Sequence, residues 1–185
     1  MKVSRLENVL AAIDQFNKRD PKGKEFPYSE NLTRRVLKLN ARPSEALRIA
    51  ARGQHIGRWT IPRESYPMNR GGYLRWREDL KRFHAQTVGE LMVQAGYPEP
   101  DVEAVRRIIL KKNFQTNADA QTVEDALCLV FLETQFDELR QKTPDPKMVD
   151  IIQKTWRKMS DKGKALALEM ELPEAHKQLI LQALK

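Results

Sequence analysis

Apolar residues recur at three- and four-residue spacing along most of this chain, the period of helices that bury one face. Leu6, Val9, Leu10, Ile13 and Phe16 follow it first, with Ser4 in the position of an N-cap. "DPKGKEFP" interrupts the pattern with Pro21, Gly23 and Pro27, and a second helix is expected after Ser29 through Leu32, Val36 and Leu39. "RPSEALRIAARGQHI" supplies a third, capped at Ser44 and burying Leu47, Ile49 and Ala50 or Ala51.

From residue 57 to about 69 the period disappears and Pro62 and Pro67 intervene, which predicts a loop of about a dozen residues. Loops of that length inside a compact domain are more often functional than short ones. "GGYLRWREDLKRFHAQTVGELMVQAGY" resumes helix, with a break expected near Ala85. "PDVEAVRRIILKKN" begins with acids and closes with lysines, as a helix dipole favours.

In "TVEDALCLVFLETQFDEL" residues 126–132 are uniformly apolar, so the segment reads as the central helix of an all-α core. The tail, with "PDPKMVDIIQKTWRKM" and "PEAHKQLILQALK", predicts two or three amphipathic helices separated by "SDKGK" and Pro173. No internal repeat, low-complexity tract or β-hairpin signal interrupts this pattern. The expected architecture is all-α: a helical bundle domain over residues 1–143, with a C-terminal helical extension over 144–185 packed on it.

Composition sharpens this picture in two places. At 185 residues the chain can bury roughly two-thirds of its unfolded surface, so its core needs no disulfide or metal. The single cysteine, Cys128, lies among apolar neighbours and predicts a buried thiol in a reducing compartment. The N-terminal segment is amphipathic and carries acids, unlike a signal peptide, and no run reaches membrane-spanning length. A cytoplasmic location is therefore expected.

The net charge of +8 is unevenly spread. Eight basic residues (Arg52, Arg58, Arg63, Arg70, Arg75, Arg77, Lys81, Arg82) face three acids (Glu64, Glu78, Asp79) within about a sixth of the chain. Trp59, Tyr66, Tyr73, Trp76 and Phe83 lie between them. Tyr73, Trp76 and Phe83 have helical offsets that suit core packing. Arginine beside aromatic rings also suits stacking on a base or a bidentate grip on phosphate or carboxylate.

Two of the three histidines, His55 and His84, bracket this region, while His176 falls in a polar terminal helix and reads as solvated. His55 can either cap the last carbonyls of its helix or face a cleft. Asp125 and Glu133 bound the apolar run about two turns apart, where an acid must be paired, hydrogen-bonded or protonated. Arg58 and Arg63 are candidate partners. Phosphate-binding loops, dinucleotide fingerprints, paired CxxC and HExxH motifs are all absent from the sequence.

The order "PYSENLTRRV", "AARGQHIGRWTIPRESYP", "GGYLRWREDLKRFHA" and "VEDALCLVFLE" resembles the domain-of-unknown-function family numbered 4202, over almost the whole chain. A more distant similarity is to the HD superfamily of all-α, metal-dependent phosphohydrolases. "AARGQHIG" resembles that superfamily's His-Asp turn, with Gln54 in the histidine slot and His55 in the aspartate slot. "VEDALCLVFLE" resembles its closing motif and places Asp125 at the final aspartate, while Glu30 or Tyr28 falls near the early histidine.

This resemblance implies a degenerate site in which His55, His84, Asp125 and Glu30 either hold a divalent metal or form a metal-free acid–base cluster. Glutamine is a poor ligand for a water-activating metal, so the superfamily's usual arrangement is not expected.

The resulting expectation is a hydrolase-like enzyme acting on a phosphorylated or other anionic small molecule. His55, His84 and Asp125 are its candidate catalytic groups. Arg58, Trp59, Arg63, Tyr66, Tyr73 and Arg77 are its candidate substrate-binding groups. The alternative is a non-catalytic module that binds a nucleotide, RNA or an acidic partner through residues 52–84. A third reading takes the charged cluster as a buried structural network.

Overall fold

The computed structural model describes residues 4–112, 114 and 116–184 of the chain, and among them regular structure is helical throughout. By its contacts the chain divides after Val123 into two compact units, whereas the sequence pattern suggests a division at 143/144.

In the first unit, α1 (Arg5–Asn17) opens on a reciprocal capping box. The Glu7 amide donates to Ser4 Oγ at 3.2 Å, and the Ser4 amide donates to Glu7 Oε2 at 2.8 Å. Helix α2 (Glu25–Leu39) starts five residues before the expected point. Pro27 sits in its first turn, where no amide donor is needed. The Asp20 carboxylate accepts from the amides of Lys22, Lys24 and Glu25 at 3.0, 2.8 and 3.1 Å, which organises the entry. Ser29 is buried inside the helix and donates to the Phe26 carbonyl.

Helix α3 (Glu45–Gly53) is capped by Ser44 and packs against α1, α2, α4 and α5. Its Leu47, Ile49, Ala50 and Ala51 are buried, so this short helix forms the centre of the unit. Arg52, on its last turn, makes a bidentate pair with Asp14 at 2.5 and 2.8 Å and lies 3.7 Å from Glu30. Helix α4 (Arg70–Gln94) runs unbroken through Ala85, a strong helix former with no proline nearby. Helix α5 (Glu99–Leu110) lies against α3 and α4.

Helix α6 (Ala118–Thr134) spans the division between the units, and most of its apolar run is buried, Cys128 included. The second unit continues with α7 (Phe136–Gln141), α8 (Asp145–Lys158), α9 (Asp161–Leu168) and α10 (Glu174–Ala183). Helices α8 and α10 pack together, with Met148, Ile152, Leu179 and Ile180 buried. His176 departs from its expected solvation. It is buried, edge-on to Phe136 at 4.8 Å, with Nε2 3.2 Å from Asp137 Oδ1. No helix among the described residues is long and apolar enough to cross a membrane.

Candidate functional site

The site is built on the turn that leaves α3. Gly57 adopts a left-handed conformation at φ 65°. A Cβ there would lie 2.8 Å from Phe83 Cε1 and 2.9 Å from Phe16 Cε1, so both backbone and packing select glycine. This reversal sets His55 and Arg58 on either side of a tight bend closed by the Arg58 amide donating to the His55 carbonyl.

The expected loop contains two short 3₁₀ turns, Arg58–Thr60 and Arg63–Ser65. Arg63 holds it together, donating to the carbonyls of Tyr66, Pro67 and Asn69 at 3.1, 2.9 and 3.3 Å. The Tyr66 hydroxyl donates to Asp79 at 2.9 Å, and the Trp76 indole donates to the Ile61 carbonyl at 2.8 Å. Arg63 and Tyr66 thus shape the wall, and their polar atoms are engaged within the protein.

His55 lies flat on Tyr28, with ring centroids 4.4 Å apart and planes 8° from parallel. His84 approaches at 5.9 Å between centroids. His84 is buried, and its Nδ1 is 2.7 Å from the Ile56 carbonyl. A carbonyl only accepts, so Nδ1 carries the proton and Nε2 of the neutral ring presents a lone pair. That Nε2 is buried without a hydrogen-bond partner.

Burial pushes the His84 imidazole down to about 4, opposed by its bond to Ile56 and assisted by the charge of Arg58. His55 is held well below the ordinary imidazole range, first by burial and then by the charge of Arg58, with smaller contributions from competition with His84 for a proton and from Lys111 and Arg77. Both rings are therefore neutral at pH 7.

Arg58 lies 4.7 Å from the centroid of the Trp76 ring. Arg77 donates to the Tyr73 hydroxyl at 3.3 Å. Beside Arg58 a cleft of about 420 Å³ is lined by Lys22, Glu25, Trp59, Arg63 and Trp76, among others. Burial raises the Glu25 carboxyl to about 7; nearby Arg58 opposes that rise and Asp20 reinforces it. Glu25 and Lys111 were not apparent from sequence, because one fell in a presumed breaker and the other in a helix-closing lysine pair.

Within the first unit the structure brings together His55, His84, Arg58 and Arg77 with Tyr28, Tyr73 and Trp76. Glu30 is directed at Arg52. Asp125 belongs to the second unit, where its carboxylate accepts from the Ser160 amide at 2.8 Å and from the Ser160 hydroxyl. Gly163 permits this, since a Cβ there would lie 2.7 Å from Asp125 Cγ. Among the described residues no three His, Cys, Asp or Glu side chains form a group able to hold a metal ion.

The sequence profile of a domain of unknown function, DUF4202, matches residues 7–180. No curated protein and no solved structure matches the chain.

Proposed function

The chain belongs to the DUF4202 family, and we propose that it is a hydrolase-like enzyme on an HD-like helical scaffold, acting on a phosphorylated or comparably anionic small molecule. The arrangement that carries this reading is the Gly57 bend, which sets His55, stacked on Tyr28, one turn from Arg58 over Trp76, with Arg77 on the neighbouring Tyr73. Cations gathered around an uncharged imidazole suit a bound anion.

In this reading Arg58 and Arg77 bind the anionic group and offset charge developing on it. His55, whose basicity rises as a bound anion offsets the surrounding positive charge while burial still opposes protonation, takes the proton of an attacking water. Glu25, protonated for part of the time near neutral pH beside Arg58, returns a proton to the leaving oxygen. Two titratable groups pushed in opposite directions is the pattern of an acid–base pair. His84 holds the turn through the Ile56 carbonyl. Each step uses only groups of the chain itself. A single buried cysteine is in keeping with the cytoplasm as its compartment.

The test is a panel of phosphomonoesters, nucleotides included, screened by thermal shift and by phosphate release. The native protein should be stabilised by dianionic members and should release phosphate from some of them. Arg58→Ala should lose the stabilisation, and His55→Ala should keep it while losing release. No stabilisation and no release across the panel would sink the proposal.

The second reading, a binding module for a nucleotide, RNA or an acidic partner, draws support from Trp59 and Trp76 lining the same cleft as Arg58. Stabilisation without release would favour it. Steep loss of RNA affinity with added salt would identify nucleic acid as the ligand.

A further inference from the structure

The first unit carries a second cavity, of about 550 Å³. It shares no lining residue with the cleft beside Arg58. Three helices build it, each offering two positions one turn apart: Leu10 and Asp14 on α1, Thr33 and Leu37 on α2, Arg48 and Arg52 on α3. That spacing keeps both members of each pair on one helix face. The connection from α2 to α3 also borders it, through Arg42 and Pro43.

The polar groups of this wall fall into two kinds. Asp14 and Arg52 neutralise each other in their bidentate pair, and the Thr33 hydroxyl donates to the Ser29 carbonyl at 2.8 Å. Arg42 and Arg48 are exposed, and their donors in the described hydrogen bonds are main-chain amides. Among the described residues neither guanidinium is bonded or ion-paired to a carboxylate. The Glu7 carboxylate feels the charge of Arg48 but is itself bonded to the Ser4 amide and hydroxyl.

The rest of the wall is largely apolar, with Val36, Pro43 and Ala51 joining Leu10 and Leu37. Leu37 is 47% exposed, a large apolar side chain left open to water. Cavities of this size, with apolar walls and a few polar groups, are those that take small molecules. Two uncompensated arginines beside apolar walls complement an apolar body with an anionic head. A guanidinium fork fits a carboxylate through two parallel bonds.

We propose that this cavity is a second binding site, for an apolar monocarboxylic acid. Its tail lies against Leu10, Val36, Leu37 and Ala51, and its carboxylate is held by Arg48 and Arg42. The site stands independently of the phosphate reading above.

Calorimetry with octanoate, octanol and acetate at about pH 7, where the acids are ionised, tests it. The proteins are native, Arg48→Met, the double variant Arg42→Met with Arg48→Met, Leu37→Gln and Arg58→Ala. The substituted side chains at 37, 42 and 48 are exposed, so those variants should keep Tm within about 3 °C of native. The native protein should bind octanoate at a single site, octanol about tenfold more weakly, and acetate not measurably. Arg48→Met keeps an apolar stem and should weaken octanoate about tenfold, the double variant further, with octanol unchanged. Leu37→Gln should weaken octanoate and octanol alike, by about fivefold. Arg58→Ala should bind octanoate as the native protein does.

Octanoate affinity unchanged in both methionine variants, or octanol bound as tightly as octanoate, would overturn the assignment of the arginines. No heat with octanoate would overturn the site. A native dimer that Leu37→Gln dissociates, without octanoate binding, would give the cavity to a second copy of the chain and overturn it too. Octanoate binding lost in Arg58→Ala would move the acid to the phosphate cleft, overturning this inference and leaving the anion reading there intact.

Discussion

The Tyr28 phenol lies parallel to the His55 imidazole at 4.4 Å and so closes one face of that ring to water. With one face covered and cations nearby, the ring has little to gain from protonation until an anion arrives. Anion binding should therefore carry a proton in with it. Calorimetry at about pH 5.5, where an ordinary imidazole is largely charged, should show uptake of a proton fraction that varies with buffer ionisation enthalpy. His55→Gln should abolish that dependence. Equal heats in all buffers would mean that His55 does not respond to the bound charge.

His84 makes a prediction about acid stability. Its folded value of about 4 lies below the ordinary 6.5, so the unfolded chain binds the extra proton first as pH falls. Stability from this group is complete above about 6.5 and is lost progressively down to about 4. Between pH 7 and 4.5 the loss should be on the order of 2 to 3 kcal/mol. Urea unfolding across that range reads it directly. His84→Gln, which keeps a donor for Ile56 without the titration, should flatten the slope.

Gly57→Ala meets both a left-handed backbone and two phenylalanine rings within 3 Å of the new methyl. The combined cost should be about 2 to 4 kcal/mol in urea unfolding. A cost below about 1 kcal/mol would show that Phe16 and Phe83 move aside easily.

Asp125 accepts from both the amide and the hydroxyl of Ser160. Replacing it by alanine leaves a part-buried amide without that acceptor, which should cost about 1 to 3 kcal/mol. Phosphate release per folded molecule should stay near the native rate. Lost release at unchanged stability would return Asp125 to the catalytic set.

Helix type and order were legible in the sequence because apolar spacing alone decides them, and the Ser4 and Ser44 caps stand where the hydroxyls predicted. Positions that depend on distant partners were not. Pro27 looks like a breaker until Asp20 is seen gathering the amides of the helix entry. His176 sits in a polar stretch, and only the approach of Phe136 buries it. The charge of Arg63 is visible in sequence, but its acceptors are main-chain carbonyls, which every residue has. Of the candidate site, His55, His84, Arg58 and Arg77 were found from the basic, histidine-bracketed segment. Glu25 and Lys111 emerged only with the turns that carry them.

Those same three carbonyls fastened by Arg63 bear on how a ligand is met. A segment so anchored is a cast mould, shaped during folding, and little chain entropy remains to be lost when the ligand enters. Capture should then be governed by diffusion and charge steering, with rates that fall as salt rises. Discrimination would come from fit to a standing surface, so molecules that need a closing flap for recognition belong to other proteins.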